Sequence, residues 1–102
     1  MNAPTSGASI KGACGEEIEF YLDIKNKIIQ EITFYTEGCG AILNCGDAVC
    51  REAEGLHIQE ALKISPDFIM KKVTMLPDEE SHCAVLATMT FYKAVGCYLL
   101  EK

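Results

Sequence analysis

The chain of 102 residues has no tryptophan, two histidines and three prolines, and its nine lysines and arginines are outnumbered by fifteen acids. A formal charge of −6 removes the electrostatic reason for unspecific binding to nucleic acid or to an anionic membrane, because a polyanion gains nothing from meeting such a surface. Basic protein surfaces remain suitable partners. No apolar run approaches the roughly 18 residues of a membrane span, and Met1-Asn2-Ala3-Pro4-Thr5-Ser6-Gly7 lacks the basic and apolar parts of a signal peptide. The expected location is therefore the cytoplasm. Neither G-x-x-x-x-G-K nor G-x-G-x-x-G occurs, so no glycine-rich phosphate loop is present. Two histidines in so small a domain do not point to a cysteine protease, which needs a base and an orienting group around a cleft. Internal repeats, low-complexity tracts and domain linkers are also missing.

Cysteine is what the chain does have, six of them. Without an export signal they are expected to be metal ligands, reactive thiols or small core hydrophobes rather than a disulfide framework. Length allows one domain and one core. Residues 1 to about 12, rich in Gly, Ser, Ala, Thr and Pro, read as a mostly flexible N-terminal segment in which Ser9-Ile10-Lys11 could pair as a short edge strand; the single domain occupies 13–102. Ile18, Phe20, Leu22 and Ile24 alternate with Glu17, Glu19, Tyr21 and Asp23, the period of a strand buried on one face. Lys25-Asn26-Lys27 is a turn, and Ile28 to Thr36 is the returning strand, with Ile28, Ile32 and Phe34 on one side. From Ala41 to Glu54 the spacing becomes helical, with Ile42, Cys45, Ala48 or Val49, and Ala53 as a stripe and Gly55 as the stop. Ile58 to Ile64 reads as a short helix. Ser65-Pro66-Asp67 starts another that runs to about Val73, Leu76-Pro77-Asp78-Glu79-Glu80 is a loop, and a long buried helix runs from Ser81 or His82 to about Leu100.

The chemistry lies at element ends. Cys39, between Gly38 and Gly40 where a strand gives way to a helix, sits beside the unpaired N–H groups of a helix start, which favour thiolate over thiol. Cys14, within Ala13-Cys14-Gly15-Glu16, precedes the first main strand, and Cys83, within Ser81-His82-Cys83-Ala84, opens the last helix. An antiparallel hairpin brings Cys14 and Cys39 to one end of the sheet; sequence alone does not place Cys83 there. The reading is that the three converge on one metal site. Three thiolates suit zinc or an iron–sulfur cluster, with Glu16 or His82 in the fourth position. An oxygen or nitrogen ligand holds such a cluster less firmly than a fourth thiolate, which suits a cluster that is built and then released. Cys45 falls on the core stripe of its helix and reads as packing. Cys50, five residues on and about 140° around the helix, cannot face the same ion. Cys97 reads as packing, His57 as a surface loop residue, and Met70, Met75 and Met89 as core fillers.

Taken in order, Cys14-Gly15-Glu16 before an alternating strand, Gly38-Cys39-Gly40-Ala41 entering a helix, Leu76-Pro77, and His82-Cys83 with Leu86-Ala87 resemble the IscU/NifU N-terminal family of iron–sulfur cluster assembly scaffolds over about residues 12–100. The resemblance implies an α+β fold, a small antiparallel sheet of two to three strands covered on one face by helices, with a long C-terminal helix. It implies that Cys14, Cys39 and Cys83 accept sulfur from a cysteine desulfurase and bind iron, with Glu16 and His82 as neighbouring ligands or, for His82, a proton-transfer group. The transient cofactor would be an iron–sulfur cluster, expected as [2Fe–2S] and passed to apo iron–sulfur proteins; zinc at the same residues is allowed for in purified protein. The chain would be a scaffold or carrier and not an enzyme. It departs from the family in having Glu16 where Asp is usual, in lacking the usual N-terminal helix, in carrying Asn44-Cys45-Gly46 and Cys50 where small Ala or Ser residues are typical, and in Leu76-Pro77-Asp78-Glu79-Glu80, where an acid replaces a lysine and argues against docking of a dedicated Hsp70-type chaperone. Two other functions remain open: a zinc-containing sulfur acceptor that stimulates a desulfurase, and a non-catalytic zinc or interaction domain.

Overall fold

Alternation over residues 17–25 drives one side of that segment out of water, and the rest of the chain supplies the cover. The structure, a computed structural model, describes residues 6–11, 17–37, 40–72 and 81–100. Cys14, Glu16, Cys39, Val73, Met75 and the expected loop at Leu76-Pro77-Asp78-Glu79-Glu80 lie outside the described residues. In chain order the elements are β1 (Ser6–Lys11), β2 (Glu17–Lys25), β3 (Ile28–Thr36), α1 (Gly40–Ala53), α2 (Ile58–Ala61), α3 (Pro66–Lys72) and α4 (Ser81–Leu100). The strands form an antiparallel sheet in the order β1-β2-β3, and α1 and α4 pack on one of its faces, α1 over β3 and α4 over β1 and β2. The α+β architecture and the long C-terminal helix are as expected.

The β2–β3 hairpin closes through Asn26 and Lys27, with φ of 55° and 64°. Positive φ at both central residues gives a turn whose twist matches that of the strands. The register then carries an irregularity: Asp23 pairs with Glu31 but Ile24 with Ile29, so Gln30 is the extra residue of a bulge. That single residue reverses the facing of what precedes it. Ile29 is fully buried and Ile28 is 37% exposed, whereas the uninterrupted alternation had put Ile28 in the core beside Ile32 and Phe34.

Residues 6–11, expected to be mostly flexible with pairing confined to Ser9-Ile10-Lys11, form a strand from Ser6, paired with β2 from Ser6↔Leu22 to Lys11↔Glu17. The ties are long-range and composition does not reveal them. Ser6 Oγ donates to the Ala94 carbonyl at 2.6 Å, Lys93 Nζ to the Ser9 carbonyl at 3.2 Å, and the Tyr21 ring lies where a side chain on Gly7 would begin, 2.8 Å from an ideal Cβ.

α1 buries Ile42, Cys45, Ala48, Val49 and Ala53. It can approach the sheet because Gly46 has no Cβ, which would stand 2.6 Å from Phe34. The helix stops at Gly55, φ 87°. The short helix expected over 58–64 is the single turn α2, capped by His57, whose Nδ1 accepts from Gln59 N–H at 3.1 Å. α3 starts as expected, Ser65 Oγ accepting from Phe68 N–H at 3.1 Å. Residues His82–Leu100 are long and apolar enough to cross a membrane by length and composition, although no such run was read from the sequence. Here that helix packs on the sheet, α1 and α3, burying Cys83, Ala84, Leu86, Ala87, Phe91, Ala94 and Val95. Thr88 and Thr90, also buried, satisfy their hydroxyls on the carbonyls of Ala84 and Leu86. Met70 packs against the core, but Met89, expected there too, is 53% exposed on the outer side of α4.

Candidate metal centre

β2 begins and β3 ends at the same edge of the sheet, and the Glu17 carbonyl is where the two strands are tied. It accepts the Thr36 hydroxyl at 2.6 Å and the Glu37 N–H at 3.4 Å. In sequence, Glu16 directly precedes Glu17 and Cys39 follows Glu37 by two positions. The described ends of the two segments that carry Cys14, Glu16 and Cys39 therefore meet, as the hairpin argument requires.

The direction of α4 follows from two contacts at different levels of the sheet. Ser6, whose strand partner is Leu22, bonds to Ala94, while Phe20, two positions nearer the start of β2, meets Phe91 edge-on with ring centroids 6.1 Å apart. Moving backwards along α4 thus moves toward the end where β2 begins. From Phe91 back to Cys83 is about 12 Å of helix, and from Phe20 back to Glu17 is about 10 Å of strand. The first turn of α4 accordingly reaches the level of Glu17 and Thr36, a placement the sequence alone could not give.

On that turn Cys83 is fully buried and His82 is exposed, with Cys83 Sγ 3.7 Å from His82 Nε2. A soft sulfur and an imidazole nitrogen side by side suit zinc or iron, and the ring nitrogen can exchange a proton with the thiol. Among the described residues no group of three or more His, Cys, Asp or Glu side chains could hold a metal ion; Cys83 and His82 are the expected ligands that fall within them.

The other thiols have different settings. Cys45 is fully buried in the core, matching its packing role. Cys50 is half-buried on the last turns of α1, where burial, and then the carboxylates of Asp47 and Glu54, push its thiol up to about 12. A neutral thiol is a poor ligand and nucleophile. Cys97 is half-buried on α4.

The sheet face away from the helices carries Glu17, Glu19, Asp23 and Glu31, with Tyr21 and Tyr35 among them. Tyr21 donates to Glu19 at 2.7 Å and Tyr35 to Glu37 at 3.0 Å, and these bonds, with the surrounding negative charge, raise both phenols above their ordinary range. Such a face repels polyanions. The sequence reading missed Thr36; its one local signal is a hydroxyl residue closing a strand just before Glu37-Gly38-Cys39.

The family model described as NifU-like N terminal domain matches residues 1–102. Iron-sulfur cluster assembly scaffold protein IscU 1 of Archaeoglobus fulgidus is 33% identical over 85 residues, which are 83% of this chain and 56% of that protein. The IscU scaffold of Aquifex aeolicus is 28% identical over 92 residues, 88% of this chain and 59% of that one. This chain therefore spans between 56% and 59% of the length of these two curated relatives. Among solved structures, the crystal structure of a NifU-like protein (N-terminal) from Brucella abortus superposes with a TM-score of 0.81 over 100% of this chain and 84% of that one, at 13% identity, a likeness of fold alone. Sequence motifs, strand order and the match along its whole length agree: the chain belongs to the NifU-like N-terminal domain family.

Proposed function

We propose that the protein is a scaffold on which a small iron–sulfur cluster, expected as [2Fe–2S], is assembled from iron and from persulfide sulfur delivered by a cysteine desulfurase, with the two electrons that take each sulfur to sulfide coming from an external reductant, then handed to apo iron–sulfur proteins. The cluster is cargo, and the protein performs no net chemistry of its own. Cys14, Cys39 and Cys83 supply thiolates, and Glu16 or His82 completes the set. The observation that supports this reading is the direction of α4: its contacts step toward the end of the sheet where β2 begins and β3 ends as the helix is followed back to the Cys83–His82 pair. Thiols must lose their protons to ligate, and His82 Nε2, 3.7 Å from the Cys83 sulfur, stands where that proton can be received. A nitrogen or oxygen ligand binds iron of a cluster less firmly than sulfur does, which favours transfer over storage. Purified protein is expected to hold either zinc on the same ligands or no metal, and the reducing cytoplasm is the compartment that keeps such thiols available.

Anaerobic reconstitution with ferrous iron and sulfide should give visible absorbance from the parent that is lost in Cys39→Ala and Cys83→Ala and retained in Cys50→Ala. If Cys39→Ala and Cys83→Ala take up iron and sulfide as well as the parent, the proposal is wrong.

A further inference from the structure

We propose that Thr36 is a positioning residue for the cargo, its hydroxyl setting how long an assembled cluster is retained. The inference rests on the scaffold reading above and adds a residue to it. The β2–β3 ladder ends at Ile18↔Thr36. Beyond that rung the backbone N–H of Glu37 reaches the Glu17 carbonyl only at 3.4 Å, whereas the Thr36 side chain reaches it at 2.6 Å. The short bond, and with it most of the attraction, belongs to the hydroxyl. It joins the described ends of the two segments that carry Cys14, Glu16 and Cys39 in sequence.

Glycine neighbours make that tie matter. Cys14 is followed by Gly15, and Cys39 stands between Gly38 and Gly40. Glycine widens the backbone conformations open to a segment, so the separation of the ligands depends on where their segments are anchored. One anchor point serves both: Glu17 carries the segment of Cys14 and Glu16, and Thr36 and Glu37 carry that of Cys39. Thr36 is not one of the expected ligands, and in this proposal it acts through the Glu17 carbonyl.

Thr36→Val keeps the shape and removes the hydroxyl, and Thr36→Ser keeps the hydroxyl. With all three proteins loaded anaerobically with iron and sulfide and then challenged with excess iron chelator, Thr36→Val should lose its visible absorbance about threefold to tenfold faster than the parent, the range one hydrogen bond commands. Its visible circular dichroism should change as the ligands shift, and Thr36→Ser should restore both properties. In the metal-free proteins the Glu37 amide should exchange its hydrogen faster in Thr36→Val alone, while melting temperatures stay together. Equal retention in parent and Thr36→Val overturns the inference and leaves the scaffold reading standing. Loss of retention that simply follows a fall in melting temperature, or that Thr36→Ser fails to repair, also overturns it. A parent that takes up no cluster at all fails the scaffold reading, and the inference falls with it.

Discussion

The two ends of the sheet are closed by different chemistry. At the hairpin end the chain reverses through Asn26 and Lys27, both at positive φ, and the segment after α1 is stitched alongside. Gly55 N–H donates to the Ile29 carbonyl at 2.8 Å, Ile29 N–H to Leu56 at 2.9 Å and Ile58 N–H to Lys27 at 2.9 Å. That covers the start of an edge strand which would otherwise offer open hydrogen-bonding groups. At the opposite end the ladder stops at Ile18↔Thr36, held by a side-chain hydroxyl and one long amide contact, and the chain continues into glycine-flanked cysteines. The thiols differ in the same sense. Cys50, toward the hairpin end of α1, is held neutral, while Cys83, at the other end, has an imidazole beside it. One end is stitched by three backbone hydrogen bonds to the segment after α1, and the other is tied at the Glu17 carbonyl by one side-chain hydroxyl and one long amide contact.

The contrast breaks most visibly at the bulge. Ile29→Ala removes a fully buried side chain and should cost about 3 kcal/mol, whereas the neighbouring Ile28→Ala should cost less than about 1 kcal/mol. Denaturant unfolding of both variants decides it, and equal losses would remove the bulge from the account. Cluster uptake by folded Ile28→Ala should match the parent.

A smaller effect concerns Cys50. Its folded-state value of about 12 stands above the ordinary thiol value of 9.0, so the folded protein holds this proton more tightly than the unfolded chain does. The stability linked to it is complete below the unfolded value and is lost as pH rises from about 9 toward about 12. The melting temperature of the parent should therefore fall more steeply across that alkaline range than that of Cys50→Ala. Tyr21 and Tyr35 titrate in both proteins, so the difference between them isolates the thiol. The smallest effect sharpens the comparison from the hairpin side. Lys27, at φ 64°, strains a side-chain-bearing residue, and Lys27→Gly should gain about 0.5–1 kcal/mol. Thermal melts check the gain, and cluster retention should not change if the two ends act separately.

Most of the fold was legible because periodicity and punctuation are local. The alternation over 17–25, the Ser65-Pro66 start and the Gly55 stop each describe a few neighbouring residues, and each holds in the structure. Of β1 only Ser9-Ile10-Lys11 was legible; its start was not, since what orders Ser6 lies at Ala94 and what faces Gly7 lies at Tyr21. Nor was the bulge, because nothing in Ile28-Ile29-Gln30 says which isoleucine the core will take. His57 reads as a loop residue until the helix that it caps is seen.

By itself the sequence determined the types of candidate ligand and the order in which they occur, three cysteines beside glycine or histidine, together with a negative charge that turns polyanions away. Only the tertiary structure decided that the start of β2, the end of β3 and the first turn of α4 share one end of the molecule. The physical reason is range: a hydrophobic pattern says which face of each element is buried, but the direction in which α4 lies across the sheet is set by Ser6 on Ala94 and Phe20 on Phe91, contacts between residues far apart in the chain.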